Sequence, residues 1–88
     1  MSSMVIEYDP RSPGRNYDDL YAAIKGYDQW AHITESTWFI KTSLSCVQVR
    51  DRLSAVMDSN DRLFVAELRV TAAWRKLICD SDYLKRNL

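Results

Sequence analysis

The 88-residue chain holds only two glycines, two prolines, two cysteines and one histidine, and its twelve acidic residues cancel its twelve basic ones. Each shortage excludes a class. So little glycine and proline, beside an apolar fraction of 47%, rules out a disordered or low-complexity chain. With no net charge and a pI near 6.5, the chain lacks the overall positive field of a general nucleic-acid coat protein. A local basic cluster remains able to bind phosphate, because affinity follows the contacts made. Cys46 and Cys79 have neither CxxC spacing nor a histidine cluster, and they read as free thiols of a reducing cytosol. No run approaches the ~20 apolar residues of a membrane span, and the first residues lack the basic region and apolar stretch of a signal peptide. The expected location is the cytoplasm, with no membrane among the expected partners.

What is present is patterned for packing. Met4, Ile6 and Tyr8 share one face of a short β-rich run that stops at Asp9-Pro10, where proline cannot donate to a ladder. A loop containing both prolines, Gly14, Arg11 and Arg15 ends at Asn16, a favoured helix N-cap. Tyr17, Leu20, Tyr21, Ile24 and Tyr27 then fall on one helical face, with Gly26 near its end. Trp30 to Thr42 is rich in β-branched and aromatic residues and reads as two short strands reversing near Glu35-Ser36, or one long strand with a bulge. Ser45 and Gln48 have capping-box spacing, and Leu44 and Val49 have hydrophobic-staple spacing. The helix they start would bury Cys46, Val49, Leu53 and Val56 and end at Asp58 to Asp61. Arg62 to Val70 reads as a strand, with Phe64, Ala66, Leu68 and Val70 on one face and Leu63 and Val65 on the other. Trp74, Leu77 and Ile78 suggest a short helix or edge strand before a polar tail from Asp80 that carries Tyr83, Leu84 and Leu88.

The expected fold is one domain over residues 1–88 with residues 80–88 as a tail: a ferredoxin-like β-α-β-β-α-β antiparallel sheet with two helices on one face. A chain this short buries only about 60–65% of the surface its unfolded form exposes. The other sheet face, lined by Val5, Leu63, Val65 and part of the Trp38/Phe39 region, would lack cover. Pairing with a second copy is the simplest way to bury it, so a homodimer is expected, and the tail would be free to cross between subunits.

The order and spacing of these pieces resemble the small CRISPR-associated Cas-two-like proteins, relatives of the virulence-associated D toxins. The likeness runs from the strand ending in Tyr8-Asp9, through the first helix, to Ala31-His32-Ile33-Thr34-Glu35-Ser36-Thr37-Trp38-Phe39. There the family tends to show Gln-x-Ser-aromatic and this chain has Glu35 at the glutamine. It continues through the second helix and acidic turn to the strand Leu63 to Leu68. The resemblance implies a nucleic-acid-associated homodimer in which Asp9 meets its dimer mate and holds Mg²⁺ for endoribonuclease or endodeoxyribonuclease chemistry. Asp9 would be both the catalytic and the metal-binding residue, and Ser36 matches the family's serine.

Read from the residues alone, alternatives stand at each position. Asp9 holds a metal with a second copy's carboxylate, or it forms a turn with Pro10 and accepts backbone N–H groups. Arg11 and Arg15, before a helix N-terminus, contact a nucleic-acid backbone or are solvated surface charges. Ser36 contacts phosphate or, as preferred, pins the reversal by bonding to backbone. His32 lacks the companions of a zinc site or a triad and reads as a strand residue. Trp30, Trp38 and Trp74 stack bases or, at their spacing, build a core. The competing function is a non-catalytic protein-interaction module of the same fold, such as an antitoxin, immunity or assembly subunit.

Overall fold

The computed structural model describes residues 1–11, 17–69 and 72–88. Its elements run β1 (Ser2–Asp9), α1 (Asp18–Lys25), β2 (Gln29–Thr34), β3 (Thr37–Thr42), α2 (Cys46–Ser54), β4 (Arg62–Glu67) and α3 (Ser81–Asn87). The fold is α+β: the strands form one antiparallel sheet in the order β2-β3-β1-β4, so β3 lies between β1 and β2, and β2 and β4 are the edges. Among the described residues no helix is long and apolar enough to cross a membrane.

Alternation in β1 decides the main core. Met4, Ile6 and Tyr8 point to one face, where Leu20 and Ile24 of α1, Val49 and Leu53 of α2, and Trp38 and Ile40 of β3 close over them. Each such aliphatic side chain, fully withdrawn from water, stabilises the fold by about 1.5–3 kcal/mol. α1 follows its expected face, with Tyr17, Tyr21 and Tyr27 packed around it; its expected cap, Asn16, lies outside the described residues. Asp18 and Asp19 in the first turn and Lys25 in the last suit the helix dipole. α2 opens with the expected capping box: Ser45 Oγ accepts from Gln48 N at 3.2 Å, and Ser45 N donates to Gln48 Oε1 at 2.9 Å. Of the two readings of Trp30 to Thr42, the structure has the two strands and not the single long one. Two strands turn at Glu35-Ser36, and β2 also carries a register shift between His32 and Thr34.

The second sheet face departs from expectation. Ile6 pairs with Val65 and Tyr8 with Leu63, so Leu63 and Val65 face the helices and join the main core. The opposite face instead carries Ala31, Ile33, Phe39 and Leu68, and it is covered by the chain's own C-terminal segment, with Leu84 only 4% exposed against Phe39. This corrects the expectation that the face lacks cover and is most simply buried by a second copy. Trp74 to Ile78 forms neither helix nor strand; α3 is the regular element, capped by Asp80, whose Oδ1 accepts from Asp82 N at 3.0 Å. Three longer-range bonds fix the segment: Ile78 N donates to Ile33 O at 3.0 Å, Ser3 Oγ to Asn87 O at 3.3 Å, and Tyr83 Oη to Gln29 Oε1 at 3.4 Å. Tyr83 and Leu84, homeless in the sequence, are therefore core residues of their own sheet.

Leu84→Ala is expected to cost about 2–5 kcal/mol in urea unfolding, the range for truncating a buried leucine. Leu88→Ala, at a side chain 40% exposed, should cost less than half as much. Equal, small losses at both positions would contradict the packing of α3 on Phe39.

Candidate functional site

Asp9 stands at the last position of β1, directly across the ladder from Arg62. Its Oδ2 lies 3.4 Å from Arg62 Nη1 and 3.7 Å from Arg11 Nη1, with the carboxylate about half exposed. Among the described residues, the anchoring of the loop after β1 falls to Asp61. Asp61 Oδ1 accepts from Arg11 N at 2.8 Å and from Tyr17 Oη at 2.9 Å, while Oδ2 accepts from Asp58 N at 2.9 Å. Asp61 thus ties the start of β4 to the segments around α1, and its position in an acidic turn is the one sequence signal for it. Arg15 lies outside the described residues. Ser36 sits at the same end of the sheet, where Tyr8 N donates to its carbonyl at 3.1 Å. Its hydroxyl donates to Glu7 Oε2 at 2.8 Å, not to backbone, and Thr37 Oγ1 donates to Glu7 Oε1 at 2.8 Å. Glu7 therefore clips the β2-β3 reversal to the central strand.

Mg²⁺ asks for about six oxygen ligands in near-octahedral geometry. Here one carboxylate is paired with two guanidinium groups, and among the described residues no three His, Cys, Asp or Glu side chains converge. The described residues of a single chain do not by themselves supply that shell.

Behind this end of the sheet, aromatic rings run from Tyr8 through Tyr21 and Trp38 to Trp30, with His32 stacked on Trp38 at 4.0 Å and 10°. Tyr8 Oη donates to Glu35 O at 3.2 Å, and His32 Nε2 lies 3.1 Å from the same oxygen. His32 is thus a packed strand residue. Burial pushes the Tyr8 phenol well above its ordinary value near 10, and the Tyr21 hydroxyl beside it adds to the shift. Burial also raises Tyr27, against the charge of Arg52.

A cleft of about 460 Å³ follows the outer edge of β2. Trp30 and His32 of β2 line it together with Cys79, Asp80, Tyr83 and Arg86 of the C-terminal segment. Trp30 is 39% exposed, and Lys25 Nζ lies 5.3 Å from the centre of its ring, within cation–π range. Burial pushes the Cys79 thiol up, so it stays protonated at neutral pH and is a poor nucleophile. The cleft escaped the sequence reading because part of its lining comes from the tail. An aspartate cap at Asp80 ahead of Tyr83 and Leu84 was the available signal for α3. No family model, curated protein or solved structure matches the chain.

Because folding raises the Tyr8 phenol, its contribution is fully present below the unfolded value near 10 and is lost as pH climbs towards the folded one. The urea midpoint is therefore expected to fall above pH ~10, and Tyr8→Phe to flatten that alkaline limb. An unchanged slope in the variant would contradict the buried phenol.

Proposed function

We propose that the chain is a non-catalytic protein-interaction module on a split β-α-β frame, of the antitoxin, immunity or assembly-subunit kind, acting in the cytoplasm. The observation that carries this reading is the state of Asp9, whose carboxylate lies between Arg62 and Arg11, in a chain where no three His, Cys, Asp or Glu side chains converge among the described residues. An acid–base or metal mechanism needs a carboxylate free to take a proton or a cation. The frame is supported by β3 lying between β1 and β2 with α1 and α2 on one face. Two free thiols suit a reducing compartment.

The partner surface in this reading is the cleft beside β2. Trp30 and Tyr83 supply rigid amphipathic rings of the kind that anchor interfaces, and Lys25 and Arg86 place positive charge at its rim. An apolar or aromatic side chain flanked by carboxylates is the complementary ligand.

The Cas-two-like nuclease reading has one observation in its favour. Asp9 ends β1, where the resemblance requires it, and Arg11 and Arg62 are donors suited to phosphate. It requires a homodimer in which a second copy's Asp9 completes the metal site.

Labelled RNA and DNA incubated with Mg²⁺ or Mn²⁺ should give no hydrolysis that Asp9→Ala removes. In the same preparations, a partner retained by the tagged wild type should be lost with Trp30→Ala while the fold is unchanged. Hydrolysis abolished by Asp9→Ala would overturn the interaction reading in favour of the nuclease.

A further inference from the structure

β4 is an edge strand with its inner side on β1. Leu68 N donates to Ser3 O at 2.8 Å, which makes that pair hydrogen-bonded in the ladder. Antiparallel ladders alternate, so Ala66, Phe64 and Arg62 also turn their backbone groups to β1, while Leu63, Val65 and Glu67 turn theirs to the open edge. Protein edges are normally guarded by proline, charge or a covering loop. Here the middle of the strand, Leu63 to Ala66, has neither proline nor charge. Phe64 is 62% exposed, and Val47 of α2, 55% exposed, helps line an adjoining groove of about 290 Å³.

We propose that β4 pairs antiparallel with β4 of a second copy, about a two-fold axis through Val65. An axis normal to the sheet keeps each side chain on its own face, so only residues of the same parity can stand opposite one another. With Val65 on the axis, Phe64 lies over the small Ala66 of the second copy, and every outward backbone group from Leu63 to Glu67 finds a partner. Charge selects this register. It sets Asp61 opposite Arg69 at both ends of the pairing, and Asp61 is a fixed acceptor already held by Arg11 N, Tyr17 Oη and Asp58 N. Arg69, 82% exposed and paired with Glu67 at 3.2 Å within its own chain, would turn to that acceptor. Moving the axis to Phe64 would set Asp61 against Glu67, two like charges directly opposite, which destabilises a sheet pair. Moving it to Ala66 would take Arg69 away from Asp61 and set it against Leu63, so that the end-to-end charge pair is lost. The pairing joins two sheets into one and leaves the β2 clefts at its far ends, so it stands whether or not the cleft takes a partner.

Sedimentation and amide exchange on the wild-type chain test this together. The expected result is a dimer at tens of micromolar, as for other modest self-interfaces, in which the Val65 and Glu67 amides become protected as concentration rises. Arg69→Glu, at a solvent-exposed site, should weaken association by about tenfold, the scale of the two unfavourable cross-strand charge pairs that the two-fold axis creates. Phe64→Asp should weaken it further. A monomer at every concentration, a dimer whose Val65 amide still exchanges freely, or an affinity untouched by Arg69→Glu would each overturn the proposal.

Discussion

Leu84 against Phe39 is the contact on which the rest of the structure depends. A four-stranded sheet with two helices buries only one face, and the second face of this one carries Ala31, Ile33, Phe39 and Leu68. Left in water, that row would make the domain a weak folder and an open template for association. Residues 72–88 resolve the problem within one chain, by hydrophobic contact more than by hydrogen bonds, since among the described residues three longer-range bonds fix the segment. The burial is non-directional, which is why an irregular stretch such as Trp74 to Ile78 serves as well as a strand would.

Legibility in the sequence followed the range of the interaction. The box at Ser45 and Gln48, the Leu20/Ile24 face of α1 and the turn at Glu35-Ser36 are local signals, and each was readable because the partners lie within a few residues. Which face Leu63 and Val65 would choose was not readable, since it depends on the pairing of β4 with β1 across more than fifty residues of chain. The same holds at the candidate site. Asp9 could be placed at a strand end, but Arg62 reaches it only through that long-range register, and Asp61 took the loop-anchoring role because the fold brings the acidic turn under Arg11 and Tyr17. Tyr83 and Leu84 looked unplaced because the surface they cover is assembled from three separate strands.

The placement of charge follows the same logic. Paired guanidinium groups hold the exposed Asp9, and Glu7 is spent on holding a hairpin. Among the exposed side chains stand two large aromatic ones, Trp30 along one sheet edge and Phe64 along the other. These are the chemical features of recognition, and they lie at opposite ends of the strand order, so self-association at β4 and partner binding at β2 need not compete.

The central claim, that each chain covers its own sheet with its own C-terminal segment, is tested most directly by isotope-filtered nuclear Overhauser spectroscopy on a mixture of labelled and unlabelled protein. The account predicts contacts between the Phe39 ring and the Leu84 methyls within one molecule and none across molecules. Phe39–Leu84 contacts found only between differently labelled chains would contradict it.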